Sequence, residues 1–121
     1  MNKPEKLPAL SLRQPWAEEV MRGKKKIEYR SIPTNIRGRV YLYASLGRYS
    51  KTLEAEFSDD VGYDLDPLPR GVIVGTVEIV DCIYNRKNDD YEWMLGKPKR
   101  FPKPVKPKFK AQPVWFRPFG K

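Results

Sequence analysis

Three charged side chains lie within six residues of one another: Lys25, Glu28 and Arg30. The residues from 25 to 30 alternate as in a β-strand, which places Glu28 and Arg30 on the same face. Arginine offers a planar fork that can grip a phosphate with two N–H groups, and lysine offers a mobile point charge. A glutamate beside them can accept a hydrogen bond from an exocyclic amine or a ribose hydroxyl. These residue types indicate a nucleotide-binding group or an ordinary ion pair on a solvated strand face, and the spacing alone leaves both interpretations open.

Further polar and aromatic residues stand at the ends of predicted elements. Arg13 and Gln14 follow a predicted strand and precede a helix, where backbone N–H groups and the helix dipole favour an anion. Trp16 is either the hydrophobic anchor of that helix or a platform on which a base stacks. Ser45 ends a predicted strand and can point into the same cleft. We therefore expect a polar cleft beside the first helix.

The absence of histidine restricts the possible chemistry. The chain has no histidine and one cysteine, Cys82, so Ser-His-Asp and Cys-His catalysis, an intramolecular disulfide and a zinc site are not expected. Cys82 lies in the apolar run from Val77 to Tyr84, which predicts a small buried side chain rather than a nucleophile. We expect neither a metal nor a cofactor.

The positive charge is concentrated at the C-terminal end. The net charge is +9, and residues 96–121 supply all of it because they hold nine basic and no acidic side chains. Such a local excess favours a polyanionic partner, although a solubilising tail has the same composition. Lys108 and Lys110 flank Phe109, and bases interleaved with aromatics suit single-stranded nucleic acid.

The chain has the size and composition of one domain. It has 121 residues, of which 40% are hydrophobic, enough for one core but not two. Its N-terminus has no apolar signal region, and no run approaches the roughly 20 apolar residues of a membrane span. These features predict a cytoplasmic protein without a membrane partner.

Periodicity and turn residues predict the elements that position these side chains. We expect strands at 9–13, 25–30, 39–45 and 71–84, the last one bent at Gly75, and a final strand near 113–117. Helices are expected at 16–21, stopped by Gly23, and at 51–57, followed by a loop over 58–70. Residues 91–95 suggest a helical turn. Four prolines from Pro98 to Pro107 predict a basic arm without regular structure over about 97–110. Several short strands with small helices predict an α+β or mainly β barrel.

Several segments, in this order, resemble the ASCH family, whose barrel is similar to that of PUA RNA-binding domains. They are 10–16 (LSLRQPW), 23–31 (GKKKIEYRS), Arg37-Gly38 with the strand ending at Ala44-Ser45, 71–78 (GVIVGTVE) and 113–116 (PVWF). The resemblance implies a single domain over 1–121, built as a small PUA-like β-barrel with an N-terminal helix and one or two short additional helices.

The resemblance also implies that the partner is RNA, a nucleotide or a modified nucleoside. The expected binding residues lie in the cleft and the arm: Arg13, Gln14, Trp16, Lys25, Glu28, Arg30, Ser31, Ser45, Lys108 and Lys110. The leading hypothesis is a binding module without turnover. A protein-interaction domain that uses the basic arm is a third possibility.

The alternative is an RNA-processing enzyme. Some relatives are amidohydrolases that deacylate N4-acetylcytidine, and nuclease activity is known in others. The lysine of the amidohydrolases matches Lys25, and their acid corresponds to Glu78. Their threonine nucleophile aligns with Glu28, so this chain lacks that hydroxyl. Lys25, Glu28 and Glu78 are thus the candidate catalytic residues of an amidohydrolase or a metal-independent ribonuclease.

Overall fold

The computed structural model describes residues 4–121, so the first three residues of the predicted domain lie outside the described part. Within residues 4–121, six strands and two helices follow one another. They are β1 (Ala9–Leu12), α1 (Trp16–Met21), β2 (Ile27–Arg30), β3 (Gly38–Ala44), α2 (Lys51–Val61), β4 (Val72–Asn85), β5 (Asp90–Val105) and β6 (Trp115–Phe116).

All six strands belong to one curved sheet with the order β2-β5-β4-β3-β1-β6. β1 and β3 run parallel, and every other neighbouring pair is antiparallel. The sheet is a half-barrel, with β2 and β6 as its two edges. This arrangement confirms the predicted fold class, a mainly β, PUA-like barrel with an N-terminal helix and one further short helix.

Both faces of the sheet carry apolar residues. On one face, α1 packs its buried Ala17 and Val20 against strand residues that include Leu42, Val77 and Trp93. On the other face, a smaller cluster surrounds Tyr41, where C-terminal residues cover the sheet. The alternation of side chains in strands explains why consecutive residues of β3 serve different clusters.

A bend in β4 contributes to the curvature of the sheet. The register between β4 and β5 shifts between Ile73 and Gly75, as the sequence predicted for this glycine. A Cβ atom on Gly75 would lie 2.2 Å from the carbonyl oxygen of Lys99, a distance that no side chain can tolerate. The strands approach so closely here that only glycine fits.

The prediction for residues 91–108 was wrong in two respects. Residues 91–95 form a strand instead of a helical turn, and the strand continues to Val105, so that the predicted arm is regular over 97–105. The pairing of β5 with β2 ends at Met94, so that among residues 4–121 the rest of β5 pairs with β4 alone. Proline lacks an N–H group, and an edge strand tolerates it where no ladder bond is needed. None of Pro98, Pro102 and Pro104 is a register partner of β4.

Two other boundaries differ from the prediction. α2 extends to Val61, beyond the predicted end at 57, because Gly62 is the first residue in the left-handed conformation that ends a helix. The closing strand is confirmed but comprises only Trp115 and Phe116. Phe116 is buried, and Cys82 is half-buried against the first core cluster.

Candidate nucleic-acid interface

A cleft of about 550 Å³ lies where five parts of the chain meet. Its walls come from the C-terminal ends of β1 and β3, the start of α1, strand β2, and residues 111–114. The polar and aromatic side chains around it are Ser11, Arg13, Trp16, Glu28, Arg30, Tyr43, Ser45, Tyr49 and Gln112. The cleft therefore contains five of the residues that the sequence nominated: Arg13, Trp16, Glu28, Arg30 and Ser45.

The cleft occupies the open seam of the half-barrel. β2 is an edge strand and does not pair with β1, but Nη2 of Arg30 donates to the carbonyl oxygen of Ser11 over 3.1 Å. Ser11 also holds the wall formed by residues 111–114, because its Oγ donates to the Gln112 carbonyl and its N–H donates to the Val114 carbonyl. One side chain thus bridges the seam at the base of the cleft.

Glu28 stands between two cations. Its Oε2 accepts from Nε of Arg30 over 2.7 Å, and its Oε1 lies 3.2 Å from Nζ of Lys25. The three side chains retain between 13% and 21% of their exposure, so the ion pairs are partly shielded from water. The Arg30 guanidinium also lies 5.5 Å from the ring centre of Trp93, the residue opposite Glu28 on β5. Glu28 and Arg30 therefore share one strand face, as the alternation predicted.

Aromatic rings form the wall next to α1. The exposed Arg13 guanidinium lies over the ring of Tyr49, 4.9 Å from its centre. The indole N–H of Trp16 donates to the Tyr49 hydroxyl over 3.1 Å, and its ring contacts Phe57 edge-on. Trp16 is half-buried, so it both anchors α1 and lines the cleft.

Two tyrosines in the cleft were not predicted from the sequence. Tyr43 lies in the middle of a strong strand pattern, and Tyr49 follows β3 in a loop. Burial raises the pKa of Tyr43 above its ordinary value. An aromatic residue in a polar loop directly after a core strand was the only sequence signal for Tyr49.

Lys25 is connected to the cleft by its contact with Glu28. Its Nζ donates to the carbonyl oxygen of Ile27 over 2.7 Å, and it does not line the cleft itself. It lies about 6 Å from the ring centres of both Trp16 and Tyr29, which places it beside the cleft wall.

Three other nominated residues lie outside the cleft. Gln14 is 1% exposed, and its amide donates to the Pro69 carbonyl and accepts from the Glu18 N–H, so it connects α1 to a loop. Ser31 is exposed and does not line the cleft. Glu78 pairs with Arg39 and with Lys97 on β5.

Glu78 and Glu28 lie on different faces of the sheet. The neighbours of Glu78, Val77 and Ile79, are buried in the same core cluster as Trp93, so Glu78 points the other way. Glu28 is opposite Trp93 and shares its face, because paired residues of neighbouring strands project to the same side. The candidate catalytic residues are thus not gathered in one site.

Lys108 and Lys110 lie in the segment that leads to the cleft. Both are exposed, and the chain continues from Lys110 directly into the wall formed by 111–114. The N–H groups of Lys108 and Phe109 both donate to the carbonyl oxygen of Pro118, so this segment is attached to the C-terminal residues.

Within residues 4–121, no group of three or more His, Cys, Asp or Glu side chains is placed to hold a metal ion. The two helices in this range, of 6 and 11 residues, are neither long nor apolar enough to span a membrane.

Comparisons with known proteins agree with this architecture. The family model described as ASCH domain matches residues 10–115. Activating signal cointegrator 1 of Mus musculus is 34% identical over 85 residues, and its Homo sapiens counterpart is 33% identical over the same length. Each match covers 64% of this chain and 15% of the relative, so the chain spans only a small part of these longer proteins.

Proposed function

The chain belongs to the ASCH domain family, and we propose that it binds RNA, or a nucleotide unit of RNA, in the cleft at the seam of the half-barrel. The observation that carries this proposal is the convergence of Arg13, Arg30, Trp16 and Tyr49 on one concave site of about 550 Å³. Two guanidinium groups and several aromatic rings match the two parts of a nucleotide, its phosphate and its base.

Each side chain has a defined part in this proposal. Arg13 is exposed and has no carboxylate partner among residues 4–121, so it can bind a phosphate without breaking an ion pair. Arg30 is held by Glu28 and Ser11, which fixes its position before a ligand arrives. Glu28 and Ser45 supply acceptors for N–H and O–H groups of the base or ribose.

The arrangement supports binding without turnover. Lys25 Nζ already contacts the Ile27 carbonyl and the Glu28 carboxylate, and Glu78 faces away from the cleft. The aligned nucleophile position is Glu28, which has no hydroxyl. The cytoplasmic location and the single-domain organisation expected from the sequence remain predictions.

The test is a binding titration of the Arg13→Gln variant with a labelled random-sequence RNA decamer. Loss of one charge-assisted phosphate contact, worth about 1.5–3 kcal/mol, should weaken binding at least tenfold. Arg86→Gln is the matched control, because Arg86 is an exposed arginine in the β4–β5 turn and loses the same charge.

Arg30 provides a second pair of variants. Arg30→Ala should weaken RNA binding, whereas Arg39→Ala should not, although Arg39 is also a partly shielded, ion-paired arginine. Circular dichroism would confirm that both variants fold. Equal affinity of Arg13→Gln, Arg30→Ala and the wild type would exclude the cleft as the binding site.

A further inference from the structure

The basic side chains of the C-terminal end differ in whether an acid neutralises them. Arg100 donates to both oxygens of the Glu18 carboxylate over 2.8 and 2.9 Å, and Lys97 Nζ lies 3.7 Å from Glu78. The other seven have no salt-bridge partner among residues 4–121: Lys99, Lys103, Lys106, Lys108, Lys110, Arg117 and Lys121. Seven of the nine basic side chains of the C-terminal end are therefore available to an external polyanion.

Three of these lysines follow one another in the segment that links β5 to the cleft wall. Lys106, Lys108 and Lys110 alternate along residues 106–110, which we call the basic segment, and all three are exposed. The segment leaves β5 at Val105, which is opposite Ile73 of β4. It passes directly into residues 111–114, which line the cleft.

The backbone of the basic segment is attached near its middle, and the cleft wall that follows it is attached to β1. Its middle is held by the hydrogen bonds of the Lys108 and Phe109 N–H groups to Pro118. Beyond it, Val114 has φ +65, an unfavourable conformation for a β-branched residue. The Trp115 N–H donates to the Pro113 carbonyl across Val114, and the Ser11 N–H donates to the Val114 carbonyl. These attachments reduce the entropy cost of binding a charged ligand along the segment.

We propose that the basic segment binds the phosphates that flank the nucleotide in the cleft, so that the ligand is a single-stranded RNA and not a free nucleotide. This inference rests on the proposed function, because it places the neighbouring nucleotide in the cleft. The three lysines act as mobile point charges along the strand. Phe109, which is 50% exposed between two of them, offers a ring for a neighbouring base.

Single-stranded RNA fits these features better than a duplex. The cleft is a concave site lined by Trp16, Tyr43 and Tyr49, and a base must leave its stack to reach such rings. Phosphates of a continuous strand extend from that base on both sides, and one side of the cleft is the wall that the basic segment enters. A free nucleotide lacks the flanking phosphates that a continuous strand would present to the basic segment.

The experiment measures the affinity of a labelled random-sequence RNA decamer between 50 and 300 mM salt for a triple variant, Lys106→Gln with Lys108→Gln and Lys110→Gln. Each lost phosphate contact on a single strand lowers the salt slope by about 0.7, so the triple variant should lose about 2 from the slope of log Kd against log salt. The matched control replaces Lys24, Lys51 and Lys87 by Gln, three exposed lysines outside this region that have no ion pair among residues 4–121. It should keep the wild-type slope.

A second titration, with a mixture of the four ribonucleoside 5′-monophosphates, separates this proposal from the proposed function. The triple variant should bind the mononucleotides like the wild type, whereas Arg13→Gln should lose affinity for both ligands. Equal salt slopes for the triple variant and its control would overturn the role of the segment. The role would also be overturned if the triple variant lost as much affinity for a duplex decamer as for the single-stranded decamer. Failure of the wild type to bind either ligand would reject the proposed function itself.

Discussion

Glu28 is the residue on which the geometry of the cleft depends most directly. It contacts Lys25 and Arg30 at once, and Arg30 in turn bridges the seam to Ser11. A carboxylate between two cations cancels part of their charge, which lowers the long-range attraction for phosphate. The same carboxylate fixes the guanidinium in one position. The two effects on RNA binding oppose each other, so a substitution can show which one is larger.

We expect Glu28→Gln to weaken binding of the RNA decamer by about tenfold. The loss of a fixed position for Arg30 should weaken binding more than the removal of the negative charge strengthens it. The free energy of unfolding should fall by about 1–3 kcal/mol, since two partly shielded cations lose their shared partner. Fluorescence anisotropy and urea unfolding measure the two quantities. The control is Glu56→Gln, an exposed glutamate of α2 with the same change in charge. Tighter binding by Glu28→Gln would show that electrostatic repulsion, and not positioning, is the role of Glu28.

The sequence located this cluster because strand alternation needs only local information. Glu28 and Arg30 are two residues apart, so any strand over 25–30 places them on one face. Gln14 has the same polar character as its neighbour Arg13, but its side chain turns into the protein because Pro69, 55 positions away, supplies an acceptor. Tyr49 joins the cleft through contacts with Arg13 and Trp16 that no local pattern specifies. Long-range contacts thus decided which nominated residues line the cleft.

Polar contacts add to the apolar packing that holds α1, and they are part of what holds α2. α1 is attached to β5 by Arg100, which together with Arg22 donates to Glu18. Although burial alone would raise the pKa of Glu18, these hydrogen bonds lower it below its usual value. α2 has no buried residue and is held by the ring contacts of Phe57 and by an ion-pair network at its start, in which Arg48 pairs with Glu54 and Asp66. Because Tyr49 lies beside that network, α2 supports one wall of the cleft.

This network gives α2 a defined pH dependence. Side-chain hydrogen bonds from Arg48, with a further one from the Tyr49 N–H, lower the pKa of Glu54 from 4.5 to about 2. A carboxyl group with a lowered folded-state pKa stabilises the protein fully above its unfolded pKa, and this stabilisation is lost as the pH falls through the folded value. The contribution of Glu54 should therefore be constant above about pH 5 and decline between 4.5 and 2.

Thermal unfolding of the wild type and of Glu54→Gln between pH 7 and pH 2 tests this expectation. The wild type should have the higher Tm at pH 7, and the difference should shrink below about pH 4.5, because a protonated glutamate resembles glutamine. Taking the difference removes the contribution of other carboxyl groups, including Glu18, since both proteins contain them. A difference in Tm that stays constant down to pH 2 would contradict the network.

Strand β5 shows where sequence patterns alone were insufficient. Pro98, Pro102 and Pro104 argue against a central strand. β5 is nevertheless a central strand, but only where it lies between β2 and β4. The prolines occur only after β2 has ended, on the part of β5 that has a single strand neighbour. Because β2 is short, the proline-containing part of β5 can form a strand. The length of β2 depends in turn on the pairing of segments about 65 residues apart.

The candidate catalytic residues are not all on one face of the half-barrel. Glu28 lies on the face of Trp93, with Nζ of Lys25 3.2 Å from its carboxylate, whereas Glu78 lies on the opposite face and pairs with Arg39. A general acid or base must come within hydrogen-bond reach of the proton that it transfers. Residues on opposite faces of one sheet cannot act on the same bond. This separation argues against an amidohydrolase built from these three residues.

The prediction is that an RNA oligomer carrying one N4-acetylcytidine remains intact, with its acetyl group, after incubation with excess protein. Mass spectrometry detects both loss of the acetyl group and strand cleavage, and binding of the same oligomer is measured in parallel to show that the cleft is occupied. An intact but bound oligomer is expected, because Glu28 provides no hydroxyl and Glu78 cannot reach the cleft. Deacetylation or cleavage that disappears in Lys25→Ala but persists in Lys26→Ala, the exposed neighbouring lysine, would instead establish catalysis at Lys25.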